Sequence, residues 1–387
     1  MVSKQWVRRK GGDEENNKQM GQREEMGLRQ SSNRLKRSLK QKEGHMKIIR
    51  CLFTLLMMIC LVQILLMPPA ESQVIRWKGQ SAYVGGASGG AGPMFAEWAK
   101  KATGGRLIID IAPAGSIVPV PEMFKATSRG MLDFAGQYFG GYHAGQLPET
   151  DIETGLTFAW ETLEHAWDAY FNHGLLEEIR KVYAEQNIFW IPAFPNQIQQ
   201  IGSTFPINSL ADIKGKKIRA TGVVAEYVKL LGASPVSIPP PEMYMALKLG
   251  TVDAAVFGMT ALEDMKLKEV WKYVIVSPNC NNLVCSYMIN MSAFNALPPD
   301  IKEILDKQAP YAMLADSIRQ RLLMDYGVSN AVKSHGLKLV TLSDKETNWV
   351  RKEVMKTVWD KVAAKNARNA KLVEIVRKQM RELGRLD

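Results

Sequence analysis

One segment of the chain occurs twice, and this repeat constrains the fold more than any other feature. The first copy comprises residues 122–126, Gly130, Leu132, Asp133 and Ala135, and 120 positions later the second comprises 242–246, Gly250, Val252, Asp253 and Ala255. Pro121 and Pro241 precede the copies, where a first helical turn tolerates a missing N–H. Each copy predicts a short helix, a glycine just past its end and then a strand. The chain is therefore expected to form two similar lobes.

The segments before each copy also correspond. They predict strand 74–82, a helix from Pro93 and strand 106–113 in one half, and strand 216–222, helix 223–231 and strand 233–238 in the other. Strands that alternate with helices of this length indicate an α/β fold in which each lobe has a mostly parallel sheet flanked by helices. Ligands of open parallel sheets bind beyond the carboxyl ends of the strands, so a ligand cleft between the lobes is predicted.

The remaining segments complete the predicted domain organisation. We predict that residues 73–196 form the first lobe, with 285–325 returning to it, and that 197–284 form the second, with 326–345. Residues 346–387 are predicted to be a C-terminal helical segment.

Three further helical or extended stretches are predicted from periodicity. Residues 159–187 are an amphipathic helical stretch expected to pack on the first lobe, 283–290 are strand-like, and a helix begins at Asp300. A charged helical run follows from 344 to 383. In that run, a stripe predicted to face the core consists of Trp349, Val350, Val354, Val358 and Trp359.

The N-terminal region has the composition of a targeting segment. Residues 1–45 are polar and lack apolar periodicity, which predicts disorder or a start site assigned too far upstream. Residues 46–72 contain an early positive charge, an apolar run and small residues near Ala70, the layout of a secretory signal peptide that directs the protein to the periplasm. An uncleaved membrane anchor is the alternative, because the apolar run approaches spanning length.

The net charge of +11 does not indicate nucleic-acid binding. The first 50 residues hold 14 Lys or Arg and 6 Asp or Glu, which leaves 36 basic and 33 acidic residues in the rest of the chain. This balance is ordinary for a soluble protein. After export, Cys280 and Cys285 would remain; they would be bridged if the chain turns between them, or buried as reduced thiols.

Several stretches of the sequence resemble the DctP-type periplasmic solute-binding subunits of tripartite ATP-independent periplasmic (TRAP) transporters. They are INSLADIKGKKIRATG, LLGASPV, PPPEMYMALKLGTVDAA and INMSAFNALPPDIKE. The resemblance covers residues 74–345 and implies a two-lobed periplasmic binding protein that delivers a small organic carboxylate to the TRAP membrane permease subunits. The branch that binds 2-oxo and 2-hydroxy monocarboxylates is the most similar, and dicarboxylates are the second choice.

The resemblance assigns Arg219 to the arginine that forks onto the substrate carboxylate. Independently, a planar guanidinium offers paired N–H donors that match the two oxygens of a carboxylate. Phe257 matches an aromatic position and is expected to lie under the ligand, with core packing as the alternative. At Val256, metal-assisted relatives have a glutamate; because valine offers a hard cation no side-chain oxygen, no metal or other cofactor is predicted.

Three more side chains are candidates for ligand contact. Gln199 matches a polar position in the family, although the local alignment could shift to Gln200. Tyr83 follows the first strand and Tyr138 ends the strand of the first repeat, so either could cover the ligand or donate a hydrogen bond. Packing between lobes is the alternative for both tyrosines.

Enzyme chemistry is not predicted. The glycine-rich residues 83–92 lack both nucleotide-binding fingerprints, the histidines are not at ligand spacing, and Ser88 lacks a nucleophile elbow, so no catalytic residue is assigned. Two other functions stay open: a membrane-tethered sensory receptor and a periplasmic enzyme on the same frame. Some relatives dimerise through long C-terminal helices, and the run 344–383 would permit a homodimer.

Overall fold

The structure is a computed structural model that describes residues 74–83, 90–195 and 198–386, together with 49–60 and residues 26, 34, 40 and 46. The chain divides into two compact units, residues 1–72 and 73–387. In the first unit, residues 49–60 are helical. Within the described residues, no helix combines the length and the apolar character needed to cross a membrane. The predictions for residues 1–45 and 46–72 fall mostly outside the described residues.

The second unit contains two sheets. The strands of the first sheet are β1 (Ile75–Ser81), β2 (Leu107–Ala112), β3 (Phe134–Tyr138), β4 (Ile188–Ala193) and β11 (Cys285–Asn290). The strands of the second sheet are β5 (Ile198–Ser203), β6 (Lys217–Arg219), β7 (Ser234–Val236), β8 (Ala254–Gly258), β9 (Tyr273–Ser277), β10 (Asn281–Asn282) and β12 (Lys338–Thr341). The strand orders are β2-β1-β3-β11-β4 and β12-β9-β5-β8-β6-β7, with β10 paired to β5.

Helices surround both sheets. The α-helices of the second unit are α1 (Ala91–Ala102), α2 (Met123–Ser128), α3 (Thr150–Glu153), α4 (Leu163–Phe171), α5 (Leu175–Ala184), α6 (Val223–Leu230), α7 (Met243–Lys248), α8 (Ala261–Asp264), α9 (Met291–Asn295), α10 (Pro299–Glu303), α11 (Ala309–Ala312), α12 (Leu314–His335), α13 (Asp344–Ala363) and α14 (Ala367–Glu382). A π-helical turn, Ile304–Gln308, joins α10 to α11. Helix α5 shows why such segments are helical: its buried residues recur at the spacing that forms one apolar face.

The repeat is confirmed in three dimensions with its 120-residue offset. The short helices α2 and α7 start at Met123 and Met243, and each follows a 3₁₀ turn that contains a proline. The glycines past the two helices, Gly130 and Gly250, have φ values of +75° and +71°, which glycine adopts without the steric cost of a Cβ. Strands β3 and β8 then begin at matching positions, so the two lobes are built from the same local unit.

The repeat also includes a contact between an aspartate side chain and a backbone N–H that the sequence alone does not reveal. In the first copy, the Asp133 carboxylate accepts a hydrogen bond from the backbone N–H of Lys78 at 2.8 Å. In the second copy, the Asp253 carboxylate accepts one from the backbone N–H of Lys217, also at 2.8 Å. Each aspartate thus joins the start of its own strand to the neighbouring parallel strand.

The predicted α/β fold with mostly parallel sheets is confirmed, and each sheet also contains one strand that runs against the others, so both sheets are mixed. The pairs β1–β2, β1–β3, β6–β7, β6–β8 and β9–β12 are parallel. Strand β11 runs antiparallel to β3 and β4, and β5 runs antiparallel to β8 and β9. The sequence repeat does not include β5 or β11, so it carried no information about their direction. The predicted residue boundaries of the two lobes stay a prediction.

Two stretches that were predicted to be continuously helical are each divided into two helices. The stretch 159–187 forms α4 and α5, separated at Gly174, which has a φ of +81°. The run 344–383 forms α13 and α14, because Asn366 is extended and caps α14 through the backbone N–H of Asn369. In α13, Trp349 is 48% exposed and does not belong to the buried stripe.

The C-terminal helices α13 and α14 join the two lobes. Within the largest apolar cluster they pack with residues of both sheets. The indole N–H of Trp359 in α13 donates to the carbonyl of Thr157 at 3.0 Å, and Lys361 pairs with Glu226 of α6 at 3.1 Å. Glu346, at the start of α13, accepts from the backbone N–H of Leu210 at 2.8 Å. The C-terminal helices are therefore part of the core that supports both halves of the site.

Candidate ligand-binding cleft

A cavity of about 950 Å³ lies between elements of the two sheets. Its lining includes residues that follow the carboxyl ends of β1, β2, β3, β6 and β7 and the last residues of β8. The polar side chains of the lining are Tyr83, Tyr142, Arg219, Thr221, Lys229, Ser237, Thr260 and Asp264. The position agrees with the rule for open α/β sheets, because the carboxyl ends of strands from both lobes meet at the same space.

Arg219 is the last residue of β6, and its side chain is held in place by two backbone carbonyls. Its Nε donates to the carbonyl of Ile238 at 3.0 Å, and its Nη1 donates to the carbonyl of Val256 at 3.2 Å. The residue is only 4% exposed, and burial lowers the pKa of its guanidinium from the usual value. Among the described residues, no carboxylate forms an ion pair with Arg219.

The two backbone contacts leave donors on Arg219 free for a ligand. A guanidinium has five N–H groups, so one hydrogen on Nη1 and both on Nη2 remain after the bonds to Ile238 and Val256. One donor on each Nη is the arrangement that binds both oxygens of a carboxylate. A buried cation without an anion is costly, so the cleft is electrostatically prepared for a negatively charged group.

Phe257 and two tyrosines surround this guanidinium. The centroid of the Phe257 ring lies 5.1 Å from Cζ of Arg219, a cation–π distance, and the ring also lines the cavity. Tyr83 and Tyr142 line the cavity from the opposite lobe, and burial raises the pKa of both phenols. Both hydroxyls therefore stay protonated at neutral pH and can donate hydrogen bonds.

Tyr138 lies in the core of the first lobe. Its side chain is fully buried, its hydroxyl donates to the carbonyl of Pro121 at 3.1 Å, and its ring packs 5.5 Å from that of His143. Tyr138 is not among the residues that line the cavity.

The two glutamines of β5 point to opposite faces of the strand, as neighbouring residues in a strand do. Gln199 is 9% exposed and pairs with Gly258 of β8, but it does not line the cavity. Gln200 donates to Asn279 at 2.9 Å and lines a second, smaller pocket of about 530 Å³. The structure therefore brings Arg219, Phe257 and Tyr83 together, and it places Gln199 and Tyr138 outside the cavity lining.

Tyr142 is the residue of the cleft that sequence reasoning missed. It lies in the 3₁₀ turn Gly140–His143, which directly follows β3. The signal that could have found it is the same carboxyl-end rule, because Tyr138 is still inside the strand whereas Tyr142 is past its end.

The donor set around Arg219 is poor in metal ligands. At Val256 the side chain has no oxygen, and the backbone carbonyl already accepts from Arg219. Among the described residues, no group of three or more His, Cys, Asp or Glu side chains could hold a metal ion. Cys280 and Cys285 are both buried, free thiols, so of the two alternatives the structure has the reduced pair.

Comparison with known proteins identifies the family. The family model described as bacterial extracellular solute-binding protein, family 7 (DctP), matches residues 85–366. A monocarboxylate 2-oxoacid-binding periplasmic protein of Nostoc sp. is 27% identical over 271 residues, which are 68% of this chain and 72% of that protein. A solute-binding protein of Albidiferax ferrireducens is 26% identical over 74% of this chain and 84% of its own length.

Solved structures confirm the two-lobed α/β fold. A TRAP periplasmic solute-binding protein from Colwellia psychrerythraea, with bound calcium and pyruvate, aligns with a TM-score of 0.71 at 22% identity and covers 80% of this chain and 95% of its own. One from Desulfovibrio salexigens, with bound orotic acid, aligns with a TM-score of 0.72 at 18% identity and covers 79% of this chain and 99% of its own. Because the family model spans most of the sequence, the chain belongs to the bacterial extracellular solute-binding proteins of family 7, the DctP family.

Proposed function

We propose that this protein captures a small organic carboxylate outside the cytoplasm and delivers it to the membrane permease subunits of a TRAP transporter. A 2-oxo or 2-hydroxy monocarboxylate is the favoured ligand, and a dicarboxylate is the second choice. The observation that carries the proposal is Arg219, a buried guanidinium that has no acidic partner among the described residues and lines the cleft. Its remaining N–H groups match a carboxylate in number and arrangement.

The family relatives support the same ligand class. The Nostoc relative is named for monocarboxylate 2-oxoacids, and the Colwellia structure contains pyruvate. A related structure from Rhodoferax ferrireducens, with a TM-score of 0.68 at 24% identity, contains malonate, a dicarboxylate. The chemistry shared by these ligands is a carboxylate on a small carbon frame, which is what Arg219 can recognise.

A bridging cation would find no side-chain oxygen at Val256 in this cleft. The Colwellia protein contains calcium and pyruvate, and another relative, from Pseudoalteromonas atlantica, contains sodium and pyruvate. Here, the Val256 side chain offers no oxygen, and its carbonyl is already occupied by Arg219. We therefore propose that ligand binding does not depend on a metal ion.

Periplasmic location through a signal peptide near residues 46–70 remains part of the proposal. Its support is the order of charged, apolar and small residues in that segment together with the extracellular character of the family. A homodimer is compatible with the proposal, and nucleic acid has no part in it.

A thermal-shift screen tests the proposal. Purified protein would be incubated with 2-oxo acids, 2-hydroxy acids, dicarboxylates, the matching amides and neutral sugars, each with and without a chelator. We expect stabilisation by acids but not by their amides, unchanged by chelation, and ligand recovered chemically intact. Stabilisation by a sugar and by no acid would refute carboxylate binding, and chemical conversion of the ligand would favour the enzyme alternative.

A further inference from the structure

The walls of the cleft away from Arg219 are built from proline turns. Val120 and Pro121, from the 3₁₀ turn of the first repeat, line the cavity on one side. The run 239–241, which belongs to the equivalent turn of the second repeat, lines it on the other. Because proline has no backbone N–H, these turns present carbon surface and few donors to the cavity. The two copies of the repeat thus form two apolar walls.

Other lining residues extend this apolar surface. They are Ala82, Ala114, Ala220, Ala225, Pro235, Ile238, Phe257, Ala261 and Met265. Small alanines beside a flexible methionine leave open volume and can adapt to the shape of an apolar group. The cleft is therefore polar mainly around Arg219 and apolar over most of its remaining wall.

The charges of the lining favour a ligand with one carboxylate. The charged residues of the lining are Arg219, Lys229 and Asp264. Lys229 is already paired with Glu226 at 2.6 Å and is largely exposed, and Asp264 is acidic and so offers no positive charge. A second carboxylate on the ligand would therefore find no buried cation among the described lining residues, and its desolvation would be uncompensated.

The volume of the cavity, about 950 Å³, is large for a three-carbon acid. Ligand pockets of roughly 300–1,000 Å³ bury most of the surface of a drug-sized molecule. Even after closure of the lobes reduces this volume, a ligand as small as pyruvate has only one methyl group to place against the apolar wall. An apolar wall favours a ligand with an apolar surface, because contact between the two removes both surfaces from water.

We propose that the preferred ligand is a 2-oxo or 2-hydroxy monocarboxylate with an extended apolar body, such as a medium-chain aliphatic or an aryl acid. This inference rests on the proposed function and specifies its substrate class. The carboxylate binds Arg219, and the apolar body lies between the two proline turns, against Phe257. Each methylene buried in such a site should tighten binding about fourfold.

Calorimetric titration with a series of unbranched 2-oxo acids, from the three-carbon acid to the eight-carbon acid, tests the inference. We expect the dissociation constant to fall about three- to fourfold for each added methylene over most of the series. Phenylpyruvate should bind more tightly than pyruvate. An eight-carbon 2-oxo acid with a second carboxylate at its far end is the matched control and should lose most of the gain.

The outcomes separate the two proposals. If acids bind and Arg219→Ala weakens them, but affinity is highest for the three- or four-carbon acid, the extended body is refuted and the carboxylate function stands. Equal or tighter binding of the eight-carbon diacid would likewise refute the single-carboxylate part of the inference. If no acid of any length binds, the proposed function itself fails.

Discussion

Glu153 is a fully buried carboxyl that takes no part in the cleft. Its Oε2 accepts a hydrogen bond from the Tyr183 hydroxyl at 2.5 Å, and its Oε1 accepts one from the Ser286 hydroxyl. Burial raises the pKa of Glu153 to about 7, although these hydrogen bonds act in the opposite direction. Nearby, burial lowers the pKa of His143 to about 3, and the ring stacks on Phe124 at 3.9 Å. Both groups are therefore neutral in the folded protein at mildly acidic pH.

We predict that the stability of Glu153→Gln relative to wild type increases as pH rises from about 4.5 to about 7. Over this window folded Glu153 keeps a proton that the unfolded chain loses, so the wild type loses stability with rising pH. The difference should increase by about 3 kcal/mol and then level off. Urea unfolding of both proteins across this range measures it.

The pH dependence of the wild-type free energy of unfolding would not by itself reveal the contribution of Glu153. Because His143 is neutral in the folded state, it destabilises the protein as pH falls from its ordinary pKa, and this slope opposes that of Glu153. Only the difference between the two proteins isolates the carboxyl. A difference that stays constant with pH would show that Glu153 is ionised in the folded protein.

At the residue scale, a side chain could be assigned to the cleft from the sequence when its chemistry indicated a role, but not when its place depended on packing. Arg219 could be assigned to the cleft because it lies in the family motif, ends a strand and has a charge that suits a carboxylate. Tyr138 and Tyr142 were not separable in this way, because the strand had to be known to end at Tyr138 before Tyr142 could be placed past it. A short shift in a strand end decides which aromatic residue lies in the cleft.

Among the elements, β5 runs antiparallel to three strands of the second sheet, β8, β9 and β10. Its Gly202 lies under the ring of Trp271, and a Cβ at this position would be 2.1 Å from a ring carbon. Trp271 is fully buried, so its ring has little room to move. The glycine is therefore required by packing rather than by an unusual backbone angle.

We predict that Gly202→Ala lowers the free energy of unfolding by about 3 kcal/mol or more, because the added methyl overlaps a buried ring. Gly145→Ala is the matched control: nothing lies within 4 Å of its Cβ position, so its effect should stay within about 0.5 kcal/mol. Chemical denaturation of both variants measures the costs. Similar stabilities would mean that Trp271 does not pack against β5 in this way.

At the element scale, the repeat was the reliable guide. It identified α2, α7, β3 and β8 because both copies contain the same turn, helix and glycine signals. It could not predict the direction of β5 and β11, which depends on contacts between distant segments. The helix breaks at Gly174 and Asn366 were also not predicted from the sequence. Apolar residues keep nearly the same helical spacing on both sides of a short break, so their spacing does not reveal it.

Helices α13 and α14 hold the two lobes of the second unit together. Their apolar residues share one cluster with residues of both sheets, and Lys361 and Trp359 contact opposite lobes. Elements that pack on both lobes can stay in place while the lobes move toward each other. Hinge closure around a ligand is a common response of two-lobed proteins.

We predict that the protein becomes more compact when a carboxylate ligand binds. Small-angle scattering should give a smaller radius of gyration at saturating ligand, because the two lobes approach each other around it. The Arg219→Ala variant at the same ligand concentration is the control and should not change. An unchanged radius in the saturated wild type would indicate a rigid receptor.

The central claim is that one buried guanidinium, Arg219, selects a carboxylate for this cleft, and calorimetry of three proteins tests it most directly. Removal of one member of a buried charge pair costs about 2–5 kcal/mol, so Arg219→Ala should weaken binding of a 2-oxo acid roughly 30-fold to several thousand-fold. Arg219→Lys should also bind poorly, because an ammonium cannot form the two-pronged contact. Equal affinity of all three proteins for the acid, or equal affinity of the wild type for the acid and its amide, would contradict the account.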